Sequence, residues 1–209
     1  MLKLDICALC LYDAVLSHPQ YWSRNLTMFI QTEDTPNPAT LKFIPGVAVL
    51  PGDTAEFVSK DATKTSPLAK RIFEIDGVVS VFLSGDFIAI TKDDASEWFS
   101  LKPSVLAGIM EHFASGLPVM EVASDENEEA VEDTETVQQI KHLLDTRVRP
   151  AVAMDGGDIT FHSFDEGVVT LQMRGACQGC PSSTATLKMG IENMLRHYIP
   201  EVKEVRPYE

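Results

Sequence analysis

The chain has 209 residues, 44% of them hydrophobic, with a formal net charge of −14, and so holds enough apolar material to bury a core without disulfide staples. Its 31 acidic residues outnumber 17 basic ones and leave no basic stripe to face a phosphate backbone, which argues against nucleic acid as a partner. No run approaches the roughly 18 apolar residues that a membrane span needs, so no membrane association is expected.

In chain order, residues 1–27 read as a leader with no assigned structure, and Met28 offers an alternative start. Its apolar stretch is broken by Asp5 and Asp13 and is poor in Arg, which suits neither a signal peptide nor a transit peptide. Cys7 and Cys10 lie in this stretch without neighbouring Gly or Pro and read as leader residues rather than ligands. Residues 28–118 form a first domain. Alternating segments at Phe29 to Gln31 and Thr40 to Ile44 flank Thr35-Pro36-Asn37-Pro38, whose prolines exclude helix, and predict strands. Ser66 before Pro67 is a helix start, followed by Leu68, Ala69, Ile72 and Phe73 on one face and Gly77 as terminator. Val78 to Leu83 and Phe87 to Thr91 bracket Ser84-Gly85-Asp86 as a hairpin. Leu106, Ile109, Met110 and Phe113 mark a second helix, closed by Gly116, and Trp98 reads as a packing residue.

Between 121 and 135 lie eight acidic side chains and no basic one, a composition too polar for a core; residues 119–135 are therefore assigned as an acidic flexible linker. Residues 136–209 form the second domain. Val137, Ile140, Leu144 and Val148 share a helical face that Pro150 should stop. Ile159 to Phe164 and Val168 to Met173 make a hairpin around Asp165-Glu166-Gly167. A helix begins near Ser182 or Ser183, striped by Leu187, Ile191, Met194, Leu195 and Tyr198, and Val202 to Val205 is a last strand. The fold class is α+β, two small α/β-sandwich-like domains joined by the linker, the second with the order αββαβ.

Cys177 and Cys180 fall between the end of a strand and the start of a helix. There, unpaired backbone N–H groups and the helix dipole favour thiolate, the form that binds metal. Gly175 and Gly179 let the backbone wrap a bulky ligand, and as loop residues outside the helical stripe the cysteines are expected to add little to the core. Metal sites and iron-sulfur clusters generally need four protein ligands, and two chains could supply them. Residue chemistry leaves other readings open: an inert pair, a redox-active dithiol, or half of a zinc site completed by His162 or His197. Otherwise His162 reads as a half-exposed strand residue, and Asp155 and Asp158, around a Gly-Gly turn, as acceptors for backbone hydrogen bonds. Cysteines in two pairs of equal spacing do not make a secreted disulfide framework. A reducing compartment is expected, cytoplasmic in a bacterium or the mitochondrial matrix in a eukaryote.

The run Arg174-Gly175-Ala176-Cys177-Gln178-Gly179-Cys180-Pro181-Ser182-Ser183, with Thr186-Leu187-Lys188 and Gly190-Ile191-Glu192 after it and Asp155-Gly156-Gly157-Asp158 before it, resembles the NifU C-terminal domain. Met28-Phe29-Ile30-Gln31-Thr32-Glu33, Thr35-Pro36-Asn37-Pro38 and Leu41-Lys42-Phe43 resemble the N-terminal domain of the NFU proteins. The resemblance implies a non-enzymatic scaffold or carrier. It would bind a [4Fe-4S] cluster, with [2Fe-2S] as the alternative, bridged between two subunits by Cys177 and Cys180. It would receive clusters from upstream assembly proteins and pass them to apo iron-sulfur proteins. Arg174 and Lys188 are expected to flank that anionic cargo. The rival readings are a thiol-disulfide oxidoreductase and a structural zinc-binding interaction module.

Overall fold

Alternation of side chains along five strands decides the first half of the structure, a computed structural model that describes residues 28–121, 134–178 and 181–208, the side chains of 181–184 excepted. The leader, most of the acidic segment, and Cys7, Cys10, Gly179 and Cys180 lie outside the described residues. Strands β1 (Gln31–Asp34), β2 (Thr40–Ile44), β3 (Ala55–Phe57), β4 (Val78–Leu83) and β5 (Ile88–Lys92) pair antiparallel in the order β1-β2-β5-β4-β3. Leu41, Phe43, Val81, Leu83, Ile88 and Ile90 point to one face. They meet Leu68 and Ile72 of α1 (Pro67–Phe73) and Val105 and Ile109 of α2 (Trp98–Ser115). Each such side chain, taken fully from water, contributes about 1.5–3 kcal/mol. The helix start holds as expected: the Ser66 hydroxyl oxygen accepts from the Ala69 N–H at 3.1 Å, and Pro67 takes the first helical position.

The second helix differs from expectation. It begins at Trp98, runs through Pro103, and buries Leu101, Val105, Gly108, Ile109 and His112, while Met110 faces solvent. Reading the stripe from Leu106 put the buried face about one position out of phase. Trp98 is half-buried, its ring 6.3 Å from Phe43 and its indole N–H donating to the Pro38 carbonyl at 3.2 Å.

His112 is fully buried and neither ring nitrogen has a hydrogen-bond partner. Burial first, and then the Arg71 charge, hold its pKa below the ordinary 6.5. The folded chain therefore keeps a neutral ring while the unfolded chain takes up a proton, so stability falls as the pH drops below about 6.5. In His112→Phe, chemical denaturation followed from pH 7.5 to 5 is expected to lose this part of the pH dependence. Removing two unsatisfied nitrogens should also gain about 1 kcal/mol at neutral pH; an unchanged slope would remove His112 as its source.

The second half contains α3 (Glu135–Leu143), a π-helical turn (Leu144–Val148), α4 (Arg149–Met154), β6 (Gly157–Asp165), β7 (Val168–Gly175), α5 (Pro181–Tyr198) and β8 (Glu204–Pro207). Strand β7 lies at the centre of a three-stranded sheet, antiparallel to β6 and parallel to β8. Glu166 and Gly167 both have positive φ, 48° and 90°, as a tight hairpin turn requires. The expected α+β class holds. Pro150 does not stop the helix: it sits in the first turn of α4, where a missing N–H costs nothing, and the π-helical turn absorbs the change of register. The face of Ile140, Leu144, Val148 and Val152 packs with Ile159, Val169, Leu171, Ile191 and Leu195.

The face of the five-stranded sheet away from its helices is also buried. Phe82, Phe87 and Ala89 pack with Ala153 of α4. Lys42, 8% exposed, lies over the Phe87 ring at 4.7 Å and donates through Nζ to the Ala153 and Met154 carbonyls at 3.2 and 3.3 Å. A cation is thus placed on the negative end of α4 by a different sheet. Among the described residues no helix is long and apolar enough to cross a membrane.

Candidate functional site

The hairpin β6-β7 runs two residues further than its hydrophobic pattern suggested, so that Gly157 pairs with Gly175 directly before the cysteine turn. Gly175 adopts φ +64°, which a side chain would oppose, and a Cβ there would stand 2.7 Å from the Gly156 carbonyl and 3.0 Å from Phe82 Cδ1. At Gly157 a Cβ would meet Cys177 Sγ at 2.6 Å and the Arg174 carbonyl at 2.8 Å. The Gly-Gly turn and the cysteine turn are therefore two halves of one close contact, tied by the Ala176 N–H donating to Gly156 O at 3.1 Å.

Cys177 is 8% exposed and part of the core that holds Ile159 and Met173. Two expectations are corrected here. Cys177 is a core residue, not a loop residue outside the core. Its thiol is not eased toward thiolate by the helix start; burial first, and then the carboxylates of Asp155 and Asp158, push it up to about 12. Desolvation outweighs the helix dipole because the sulfur lies inside the fold, ahead of α5. Metal binding to this thiol must displace its proton.

Asp158, 4% exposed, does more than serve a turn. Arg149 donates to it through Nε to Oδ1 at 2.8 Å and through Nη2 to Oδ2 at 3.0 Å, and the Thr54 hydroxyl donates to Oδ2 at 3.1 Å. A two-pronged guanidinium contact satisfies a buried carboxylate and fixes α4 against β6. Asp155 stays exposed at the end of α4.

Two further contacts reach the turn from the first half of the chain, one from β3 and one from the loop between β1 and β2. The Gly175 N–H donates to Glu56 Oε1 at 2.9 Å, and Asn37 Nδ2 donates to the Gln178 carbonyl at 3.2 Å. Burial raises the Glu56 pKa, opposed by the Gly175 N–H and the Arg174 charge. Sequence reasoning missed Asn37, Glu56, Thr54 and Arg149; the one available signal was the outward-facing apolar pair Phe82 and Ala89 on adjacent strands. The structure also moves Lys188 away from the flank expected of it: its amine lies 3.8 Å from Glu204 of β8. Arg174 lies along its own strand, donating to Gln172 Oε1 at 2.9 Å. His162 is exposed and stacks on Tyr208 at 4.0 Å, and His197 is exposed beside Tyr198 at 5.0 Å.

Residues 30–116 match the family described as scaffold protein Nfu/NifU N terminal, and residues 140–206 match the NifU-like domain. The chain belongs to the NFU-type scaffold family. It is 56% identical over 182 residues to the NFU1 iron-sulfur cluster scaffold homolog, mitochondrial, of Drosophila willistoni, covering 86% of this chain and 63% of that protein. The protein of the same name from Drosophila virilis is 54% identical over 182 residues, covering 86% and 61%. The chain thus spans under two thirds of the length of these NFU relatives. The solution structure of a NifU-like protein from Saccharomyces cerevisiae aligns with a TM-score of 0.42 at 29% identity, over 46% of this chain and 87% of that one.

Proposed function

We propose that this chain is an iron-sulfur cluster scaffold and carrier, not a turnover enzyme, in which Cys177 and Cys180 contribute two thiolates and a second copy contributes two more. The bridged cargo is a [4Fe-4S] cluster, received from upstream assembly proteins and handed to apo iron-sulfur proteins by ligand exchange. The supporting observation is the glycine-cradled turn that places Cys177 at the junction of β7 and α5, inside the segment matching the NifU-like domain. The domain boundaries at 118 and 136 belong to the same reading, and the relatives' printed names favour the mitochondrion as the compartment. A thiol-disulfide oxidoreductase would want a cysteine of lowered pKa, the opposite of the shift at Cys177.

The test is anaerobic reconstitution with iron and sulfide, with metal and sulfide counted and the product sedimented. The expected result is about one cluster per two chains, on a dimer that forms as the cluster binds. A holo form that sediments as a monomer would sink the bridged site. Stoichiometric zinc without sulfide would move the assignment to a structural zinc module.

A further inference from the structure

A ligand that must meet cargo shared with a second copy has to face outward, yet Cys177 is turned into the core at 8% exposure. What holds it there comes from both bodies. Gly157 backs its sulfur from within the second sheet. From the first body, Glu56 accepts from the Gly175 N–H and Asn37 donates to the Gln178 carbonyl, so two bonds straddle Cys177 along the backbone. Around them the surfaces fit closely. Phe82 would lie 3.0 Å from a Cβ on Gly175, Thr35 3.1 Å from one on Gly156, and Lys42 caps the end of the helix before that turn. The seated partner of this sheet face is thus the chain's own cysteine turn.

We propose that this face of the five-stranded sheet is a gate on the cysteine turn: with Asn37 and Glu56 engaged Cys177 is kept inside, and cargo loads on and leaves from the form in which the face has let go. The inference rests on the reading of Cys177 as a cargo ligand. The two hydrogen bonds, Asn37 Nδ2 to the Gln178 carbonyl and the Gly175 N–H to Glu56 Oε1, can break and re-form locally without unfolding either core. The gate also assigns the first body a task in loading that needs no ligand of its own.

The experiment measures the rate of Cys177 alkylation by iodoacetamide under chelator at fixed pH, in full-length chain whose other three cysteines are Ser. The comparison is with Asn37→Asp combined with Glu56→Ala. The aspartate keeps the oxygen that accepts from the Ala39 N–H at 3.0 Å and loses the donor to Gln178. Alkylation is expected to speed up by about tenfold or more, and cysteine-intact variant chain to take up iron and sulfide faster than the parent. In unmutated chain, hydrogen exchange at the Gly175 amide should be slow before loading and fast after it, a readout that needs no variant to fold. An unchanged alkylation rate in a variant that melts like the parent, or a Gly175 amide equally protected before and after loading, overturns the gate. Faster alkylation in chains that take up no cluster would keep the gate and remove the carrier reading instead.

Discussion

After anaerobic reconstitution, Cys177→Ala and Cys180→Ala chains are expected to retain no stable cluster, while a Cys7→Ala, Cys10→Ala double variant loads like the parent. Removing one thiol per chain deletes two of the four ligands of a bridged site, and a cluster left with two protein ligands is lost. The Cys7 and Cys10 pair has no glycine or proline beside it in the sequence. Because Cys177 is buried with apolar neighbours, the alanine variant should also lose stability, by about 1 kcal/mol for one deleted heavy atom in a packed core. Thermal melts of the cluster-free variants separate that small cost from loss of binding. A leader double variant that loses its cluster as completely as Cys177→Ala would point to four cysteines of one chain and end the dimer reading.

Gly157→Ala is expected to be strongly destabilising. Its Cβ would stand 2.6 Å from Cys177 Sγ and 2.8 Å from the Arg174 carbonyl. The carbonyl belongs to the paired strand and cannot swing away like the end of a side chain. The cost should reach the top of the overpacking range, about 3 kcal/mol, lowering the melting midpoint by roughly 10 °C. Cys177 should be displaced with it, so cluster uptake should fail even below the new midpoint. Gly190→Ala is the control: a Cβ there meets nothing within 4 Å on α5, and the change should stabilise by about 0.5–1 kcal/mol. Equal melting midpoints for the two variants would show that the Gly157 contact is soft.

The elements legible in the sequence were those whose signal is local. Ser66 and Pro67 announced a helix start, the two hairpins announced themselves by alternation around short turns, and the paired cysteines between glycines marked the turn that is now the candidate site. What escaped depends on residues far apart in the chain. Asp158 looked like a turn residue because its partners, Arg149 and Thr54, come from a neighbouring helix and from the loop before β3. Phe82 and Ala89 read as ordinary strand residues because alternation says which face a side chain takes and not what covers that face. Pro150 was read as a stop because its place in a helix depends on where the previous turn ends. The charge at Cys177 was misjudged for a related reason: helix dipoles can be inferred from position, but burial cannot.

The parallel pairing of β7 with β8 bears on the order in which this protein folds. β6 and β7 are joined by a two-residue turn, and such hairpins close within microseconds. β8 can join only after the chain has crossed back from Gly175 to Glu204 through α5, and non-local pairing of this kind is slow because loop closure precedes its reward. Cys177 and Cys180 both travel on that crossover. They are therefore expected to be among the last residues to settle, on a segment tethered at one end while the hairpin beside it is already formed. A newly made chain would then show the Cys177 thiol to the solvent before it hides it, so the first opportunity to acquire cargo, or to suffer oxidation, comes during folding itself.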